Sequence, residues 1–224
     1  MARQLRLSLR EAAAYTRDAF VEGGSNAQAV AALDAWPGWP GGCLALVGPE
    51  GVGKTHLAQA WAAKVGAVVP DRLNGAFPVG PGRPVLVEDV DQGFDAEALF
   101  HLINGAAING AGLLLTARAR PAAWPAELPD LRSRLNAMPV AEIAEPDDGV
   151  LTGVLRKFFR ELYITPQDEV YPYLLKRMVR TIPGARAIVE ALHEPDAVSP
   201  QPVSRALARQ ILEGDNQNLD LFEG

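Results

Sequence analysis

Residues 48–55 have the types and the spacing of a phosphate-binding loop. They read Gly-Pro-Glu-Gly-Val-Gly-Lys-Thr and fit the pattern Gly-x-x-x-x-Gly-Lys-[Ser/Thr] without a mismatch. Glycines let successive backbone N–H groups converge on phosphate oxygens, and the N-terminus of the following helix adds partial positive charge. Lys54 is expected to reach the β- and γ-phosphates, while the Thr55 hydroxyl ligates Mg²⁺. The predicted nucleotide contacts here are Gly48, Gly51, Val52, Gly53, Lys54 and Thr55.

Two adjacent carboxylates, Glu88 and Asp89, follow the apolar run at 85–87. A phosphate loop needs a neighbouring strand whose end supplies one carboxylate for Mg²⁺ and, in many ATPases, a second that polarises water. We therefore assign both residues as catalytic and Glu88 as the magnesium-side acid. The commoner order is Asp before Glu, so the shorter Asp89 is expected to reach the γ-phosphate side less well. Solvated acids without a role are the alternative interpretation.

Three arginines have the chemistry to bind a γ-phosphate: Arg132, Arg134 and Arg186. A guanidinium stays charged and binds phosphate oxygens through two parallel bonds. An arginine supplied across an interface raises hydrolysis by about three to five orders of magnitude. Spacing alone does not separate such a residue from an ordinary surface arginine.

Composition bounds the classes of protein and of site. The chain has 224 residues, 48% hydrophobic and 21% charged, with a formal net charge of −6. The negative net charge argues against a protein that binds nucleic acid through its overall electrostatic field. Neither a membrane-spanning run nor a signal peptide is visible, and one cysteine suits a reducing compartment, so we expect a cytoplasmic protein without a membrane partner. Three scattered histidines leave nucleotide-borne Mg²⁺ as the only metal expected.

Strands and helices alternate through the first two thirds of the chain. Apolar runs at 43–47, 85–87 and 112–116 predict buried parallel strands, and weaker strands are predicted at 67–69 and 139–143. Helices are predicted at about 26–36, 56–64, 96–108 and 131–135. This order indicates an α/β fold with a parallel sheet flanked by helices.

The pattern changes at 145–148, where strands give way to helical segments at 148–163, 167–180, 184–193 and 202–213. We therefore predict a flexible arm over 1–17, a nucleotide-binding base over 18–145, a small all-α lid over 146–213 and a tail over 214–224.

Several segments together resemble the AAA+ module of the bacterial replication initiator DnaA. The segment 20–26 looks like the family's entry segment, which implies that Phe20 and Val21 lie at the adenine. His56 and Leu57 extend the match of the phosphate loop, and 113–116 resembles the sensor-1 strand. The segment 131–135 resembles the one that carries the arginine finger, which implies that Arg134 is the finger. Arg186 falls at the sensor-2 position.

The module and a short peptide at 4–9, described below, together resemble the Hda family of DnaA-homologous regulators. The sequence shows neither the initiator's basic helix-turn-helix domain nor its N-terminal partner-binding domain. In place of the latter, Gln4, Leu5, Leu7 and Leu9 resemble a peptide that docks on the DNA polymerase III β sliding clamp. The ending at 217–222 has the same character and is treated as a second clamp peptide. A disordered acidic tail whose Leu and Phe dock on the lid is the alternative.

This resemblance implies a negative regulator at the replisome that binds ADP or ATP with Mg²⁺ and stimulates hydrolysis of DnaA-bound ATP through Arg134. A nucleotide-locked clamp adaptor and a helicase-loader-like ATPase are the competing interpretations. Two departures from the initiator pattern affect the choice among these interpretations. They are the order of the acids at 88–89 and the presence of Arg118 where the initiator usually has Asp. Strong nucleic-acid binding is not expected, while the resident nucleotide and homo-oligomerisation stay open.

Overall fold

The structure is a computed structural model that describes residues 15–70, 82–193, 203–210 and 212. The predicted clamp peptides, with Gln4, Leu5, Leu7 and Leu9 in the arm and 217–222 in the tail, lie outside the described residues.

A four-stranded parallel sheet forms the centre of the base. Its strands are β1 (Cys43–Val47), β2 (Val85–Val87), β3 (Leu113–Ala117) and β4 (Val140–Glu142), in the order β2-β3-β1-β4. The strand predicted at 67–69 is reduced to one parallel bridge, between Val68 and Val85. Pro70 follows directly and lacks the N–H that a longer ladder would need.

Alternate residues of each strand enter two different hydrophobic clusters, which explains why the strands are apolar throughout. In β1, Cys43, Ala45 and Val47 pack on one side with helices that follow β2 and β3. Leu44 and Leu46 pack on the other side with the helices around the phosphate loop. Because both faces are covered, every position of the strand is buried.

Four helices cover the sheet: α1 (Ala27–Asp34), α2 (Lys54–Val65), α3 (Ala96–Asn109) and α4 (Pro129–Ala137). Local signals set several of their ends. Asp95 caps α3 by accepting a hydrogen bond from the Ala98 N–H at 2.9 Å, and Gly110 ends it at φ 63°. Pro129 opens α4, where the missing N–H costs nothing.

The lid consists of α5 (Asp148–Glu161), α6 (Val170–Leu175), α7 (Ile182–Ala191) and a helical segment over 205–210. The helix predicted at 167–180 is wrong in extent, because α6 covers only its middle. Thr181 caps a new helix by accepting from the Gly184 N–H at 3.0 Å, and Pro183 stands in the first turn of that helix. The chain must therefore leave helical geometry before Thr181.

A separate hydrophobic cluster is formed within the lid by side chains of α5, α6, α7 and the 203–212 segment. Asp147 joins the lid to the start of the base. Its carboxylate caps α5 through the Val150 N–H at 2.8 Å and accepts from the Ser25 N–H at 2.9 Å. These backbone N–H donors hold the pKa of Asp147 below its ordinary value. No helix in the described residues is long and apolar enough to cross a membrane.

Candidate nucleotide site and arginine surface

The phosphate loop joins β1 to α2 and requires its glycines. Gly48, Gly51 and Gly53 have φ of 154°, 75° and 101°, a region that side-chain-bearing residues rarely adopt. A Cβ placed on Gly48 would also lie 2.3 Å from the Ile143 carbonyl oxygen. The loop therefore keeps its backbone close to β4 and its N–H groups free of side-chain cover.

Lys54, the first residue of α2, is held at the centre of this loop. Its side chain is 8% exposed, and its Nζ donates to the carbonyls of Gly48 and Pro49, both at 2.8 Å. Burial lowers the pKa of Lys54, the carboxylate of Asp89 opposes that effect, and the charge of Arg118 adds to it. The ammonium is thus positioned by backbone oxygens, and the charges that act on it are those of three carboxylates, Asp89, Asp91 and Glu50, and of one further cation, Arg118.

A cavity of about 320 Å³ opens beside the loop. Its lining comes from the loop, the strand ends and the lid: Glu50, Gly51, Gly53, Lys54, Thr55, Asp89, Arg118, Ile182 and Pro183. A glycine cradle, a buried ammonium, a hydroxyl and a carboxylate fit the phosphates of a nucleotide and a magnesium ion carried by them. The described residues contain no cluster of three or more His, Cys, Asp or Glu that would hold a metal without such phosphates.

The lid touches the phosphate loop directly. The Ile182 N–H, at the start of α7, donates to the Gly51 carbonyl at 3.0 Å. A Cβ on Gly51 would lie 3.1 Å from Pro183 Cδ and 3.3 Å from Thr181 Cβ. Loop and lid are therefore in direct contact at Gly51.

The two predicted catalytic acids have different surroundings. Asp89 lines the cavity, has φ 51°, and donates its N–H to the Thr116 hydroxyl at 2.9 Å. Thr116, on β3, is buried and so fixes the strand end that presents Asp89. Glu88 does not line the cavity; one of its carboxylate oxygens accepts from Gln59 on α2, and the other is buried without a partner.

Neither predicted adenine-side residue lines the cavity: Phe20 lies against the phosphate loop and Val21 against the lid. Phe20 Cε2 lies 3.2 Å from where a Cβ on Gly53 would stand, and its ring centroid is 5.5 Å from that of His56. His56 Nε2 is 3.0 Å from the Thr16 carbonyl oxygen, and burial lowers the pKa of this imidazole. Val21 points to the lid, 2.6 Å from where a Cβ on Gly153 would stand.

Arg186, the sensor-2 candidate, lies within the lid. Its guanidinium carbon is 4.1 Å from the centroid of the Phe158 ring, and its Nη2 is 3.7 Å from a carboxylate oxygen of Glu161. It is absent from the cavity lining, although Ile182 and Pro183 of the same helix are present. Arg186 lies three residues after Pro183, about one helical turn beyond the cavity. Its side chain is 47% exposed.

Arg132 and Arg134 sit on the same helix but have opposite environments. The Arg132 guanidinium donates to three carbonyls of the preceding loop, those of Ala122 at 3.1 Å, Trp124 at 2.9 Å and Ala126 at 3.1 Å. Arg134 is exposed, and its one described contact is with the Phe100 ring, 5.7 Å from the centroid. Among the described residues no carboxylate lies within salt-bridge distance of Arg134. Arg132 therefore supports the loop, and Arg134 is presented at the surface.

Arg134 borders a second, open cavity of about 520 Å³. We call it the arginine surface, and its lining residues are Phe100, Asp130, Ser133, Arg134 and Ala137. None of these lines the nucleotide cavity, so Lys54 and Arg134, both predicted to act on phosphate, belong to separate sites.

Sequence reasoning missed several residues of the nucleotide cavity. Glu50 occupies a variable position of the loop pattern, and Ile182 and Pro183 come from the lid, far along the chain. Arg118 was noted only as a departure from the initiator pattern. The one available signal was its place directly after a buried strand, where the carboxyl ends of parallel strands gather side chains around a ligand.

Comparison with known proteins finds similarity to one replication protein in particular. The family model for the bacterial DnaA ATPase domain matches residues 12–73. The chromosomal replication initiator protein DnaA of Cutibacterium acnes is 28% identical over an alignment that covers 88% of this chain and 46% of that protein. DnaA of Flavobacterium psychrophilum is 24% identical, over 94% of this chain and 51% of that protein. The chain spans about half the length of the curated relatives it matches.

Solved structures give the fold. Domain III of Thermotoga maritima DnaA superposes with a TM-score of 0.71 at 21% identity, over 89% of this chain and 96% of that chain. A replication initiator DnaA bound to AMPPCP and single-stranded DNA gives 0.66 at 18% identity, over 93% and 72%. The Thermotoga maritima RuvB branch migration motor gives 0.67 at 16% identity, over 89% and 72%. The predicted fold class is confirmed: the chain has a parallel sheet flanked by helices, and its fold is similar to that of DnaA domain III and of RuvB.

Proposed function

We propose that this chain is an Hda-like negative regulator of replication initiation, which binds ADP or ATP with Mg²⁺ and stimulates hydrolysis of the ATP held by DnaA. The observation that carries the proposal is Arg134, an exposed guanidinium with no described carboxylate partner on a helix that is otherwise firmly anchored. An arginine presented in this way suits a phosphate held by another protein better than one held by its own chain.

The chain's own nucleotide would have a structural role. Lys54, which lines the cavity, would bind phosphate oxygens, and Thr55 and Asp89 of the same lining would hold the Mg²⁺ carried by the nucleotide. Because the Gly51 carbonyl accepts from the Ile182 N–H, a shift in the loop is passed to α7. The resident nucleotide thereby sets the position of the lid and of the surface that meets the initiator.

The helix that carries Arg134 is built to hold it in place. Leu131 and Leu135 of α4 are 0% and 1% exposed and pack into the sheet's core. Arg132 ties the preceding loop to the same helix through three hydrogen bonds. A preorganised cation lowers the barrier more than one that must be ordered during the reaction. Arg134 would therefore enter the initiator's ATP site with its backbone already fixed.

The N-terminal arm is proposed to tether this complex to a DNA-loaded sliding clamp. In this proposal Leu7 and Leu9 would enter apolar pockets of the clamp, and the Gln4 amide would hydrogen-bond the pocket rim. Tethering raises the local concentration of regulator and initiator without any new contact between them. Gln4→Ala should weaken clamp binding, measured by surface plasmon resonance; an unchanged affinity would show that the arm peptide is not used.

The decisive experiment measures the rate at which DnaA-bound ATP becomes ADP, with this chain present, with and without DNA-loaded clamp. We expect acceleration that depends on the clamp and is lost in Arg134→Ala, a loss of about three orders of magnitude or more if the arginine acts as a finger. Asn136→Ala, an exposed neighbour on the same helix, is the matched control and should behave as wild type. Stimulation that survives in Arg134→Ala would remove this residue from the mechanism.

A second candidate function is a nucleotide-locked clamp adaptor without a catalytic contribution. The observation in its favour is Glu88, which is bonded to Gln59 and lies outside the cavity lining, so that slow intrinsic turnover is expected. Clamp binding without acceleration of the initiator's ATP hydrolysis would establish this alternative. A helicase-loader-like ATPase would instead hydrolyse ATP alone and bind single-stranded DNA.

A further inference from the structure

We propose that Arg177 and Arg205 form a carboxylate-binding surface on the lid, and that the segment that binds there is the chain's own acidic tail, 214–224. We call these two residues the lid arginine pair. They lie outside the linings of the two cavities described above. The proposal goes beyond the proposed function, because neither nucleotide nor initiator takes part in it.

The two arginines of the pair cover a single tyrosine. Arg177 follows α6, and Arg205 opens the helical segment over 205–210. Their guanidinium carbons lie 4.1 and 5.5 Å from the centroid of the Tyr173 ring. Tyr173 is 6% exposed, whereas both arginines are exposed. The ring therefore brings two positive charges together at the surface of the lid.

The segment that carries Arg205 is anchored in the lid. Val203, 2% exposed, belongs to the hydrophobic cluster of the lid, and its carbonyl accepts from the Gln167 N–H at 3.2 Å. The Ser204 hydroxyl accepts from the Leu207 N–H at 3.2 Å. A side chain that starts from an ordered backbone loses less entropy when it binds. Arg205 is thus held beside Tyr173 before any anion arrives.

Other arginines of the lid have carboxylate partners, and the lid arginine pair has none in the described part of the chain. Nη2 of Arg180 lies 2.7 Å from a carboxylate oxygen of Asp148, and Nη2 of Arg186 lies 3.7 Å from one of Glu161. The contacts described for the pair are with the Tyr173 ring. Two like charges at one ring repel each other, and an anion placed between them relieves that repulsion. The surface is therefore suited to a carboxylate.

The tail has the complementary charge and begins close to the pair. Its charged residues are Asp215, Asp220 and Glu223, and it contains no Lys or Arg. Leu212, which comes just before it, packs against the hydrophobic cluster of the lid. The stretch from Arg205 to Leu212 spans at most ~25 Å, while the tail can span up to ~40 Å when extended. The acids of the tail can therefore reach the pair.

Covalent attachment favours the tail over a separate acidic peptide. Exposed ion pairs contribute little individually, so an unattached peptide of the same charge would bind weakly. A segment joined to the lid by a short stretch of chain has an effective concentration on the order of 1 mM at the lid surface. Weak contacts are then formed for much of the time, and they remain sensitive to salt. Docking of this kind is reversible.

Docking would also withhold the ending 217–222, which resembles a clamp peptide. Asp220 belongs to that ending, and Asp215 and Glu223 lie on either side of it. A tail bound through these three carboxylates would not at the same time offer the ending to another protein. The lid arginine pair would therefore compete with any protein that binds the tail.

The test places a nitroxide label on the tail of the full chain through Gly224→Cys. Cys43 is 4% exposed, and burial raises its pKa to about 11, so that the label attaches to the new thiol. Heteronuclear NMR then follows the backbone amide signals around Tyr173. They should lose about half of their intensity or more at low salt and regain it in about 1 M NaCl, where the Debye length is about 3 Å.

Substitutions in the lid show whether the pair causes this loss of intensity. Arg177→Gln combined with Arg205→Gln should abolish it. Arg156→Gln is the matched control, because Arg156 is also an exposed lid arginine over a tyrosine, 5.3 Å from the centroid of Tyr171. Residues two apart on a helix do not face the same side, so Tyr171 does not share the surface of Tyr173. The control should keep the full loss of intensity.

A change in the tail alone keeps the test decisive if the double arginine variant folds poorly in thermal unfolding. Asp215→Asn, Asp220→Asn and Glu223→Gln together remove the charges of the tail without altering the lid. This variant should show the same recovery of intensity as the double arginine variant.

Unchanged amide intensities in the labelled wild-type chain at low salt would overturn the inference, as would a loss that persists in the variant with a neutral tail. A further sample mixes an isotope-labelled chain that has no nitroxide with a nitroxide-bearing chain that has no isotope. Loss of intensity there would identify the tail of a second copy as the occupant and would overturn the inference too. None of these measurements involves nucleotide, clamp or initiator, so their outcome is independent of the proposed function.

Discussion

The nucleotide cavity and the arginine surface each contain a cation suited to phosphate, but the two cations differ in burial and in hydrogen bonding. In the nucleotide cavity Lys54 is buried, bonded to two carbonyls, and surrounded by residues from loop, sheet and lid. At the arginine surface Arg134 is exposed and rests against a single aromatic ring. The first arrangement encloses a ligand within the chain; the second leaves a guanidinium available to something outside it.

This difference separates two functions, binding of a ligand within the chain and contact of a cation with another protein. A buried cation among satisfied polar groups stabilises a ligand that stays bound. An exposed one is available to an opposite charge that a partner protein supplies. The comparison therefore predicts that substitutions at one site leave the other working, and the following changes test that separation from the largest expected effect to the smallest.

Lys54→Ala should reduce nucleotide affinity by about 100-fold or more, because it removes the cation and its charge-assisted bonds to phosphate. Arg134→Ala should leave the same affinity unchanged. Both variants are compared with wild type by calorimetric titration with ATP and ADP. A fall in nucleotide affinity in Arg134→Ala, or none in Lys54→Ala, would show that the two sites are not separate in the way the geometry indicates.

Arg132→Ala should destabilise the protein by about 2 kcal/mol, because three loop carbonyls lose a charged donor and water reaches only some of them. Arg134→Ala, two residues along the same helix, should leave the free energy of unfolding unchanged. Urea unfolding followed by circular dichroism measures both. If the two variants lose the same stability, the contrast between a supporting and a presented arginine does not hold.

A pH effect at His56 should be the smallest of the three. Burial lowers the pKa of this imidazole below its ordinary value of 6.5 in the folded state, so folding favours the neutral ring. The contribution of the neutral His56 imidazole to the free energy of unfolding is complete above pH 6.5 and is lost as the pH falls through the lowered pKa. Wild type should lose more thermal stability than His56→Gln between pH 7.5 and pH 5.5. Equal losses would mean that protonation of His56 does not loosen the 15–20 segment.

Most of the fold follows from sequence signals that act locally. The phosphate loop, Asp95, Gly110 and Pro129 fix the ends of helices, and the apolar runs of the three main strands are long enough to recognise. The errors fall where two local signals compete. Residues 167–180 have helical composition throughout, yet Thr181 and Pro183 start a new helix and force a turn before it.

The site was predictable only in part, because much of it is assembled from distant segments. The loop residues are consecutive and were identified directly. Glu50 belongs to the loop but occupies a position that its pattern leaves free, and its pairing with Arg118 depends on strand register. The role of Arg132 was equally hidden, since only the folded loop shows that three carbonyls converge on it. Its neighbour Arg134 was assigned by resemblance, and its catalytic role stays a prediction.

The hydrogen bond from Ile182 to the Gly51 carbonyl has a thermodynamic consequence. If bound nucleotide favours one lid position, as proposed above, a partner that favours the same position changes the affinity for nucleotide by the same factor by which nucleotide changes the affinity for that partner, because binding free energies are reciprocal around a closed cycle. A protein that grips the lid would thus alter nucleotide exchange without approaching the phosphates. Through one backbone contact, the phosphate loop can report on which proteins are bound to the chain.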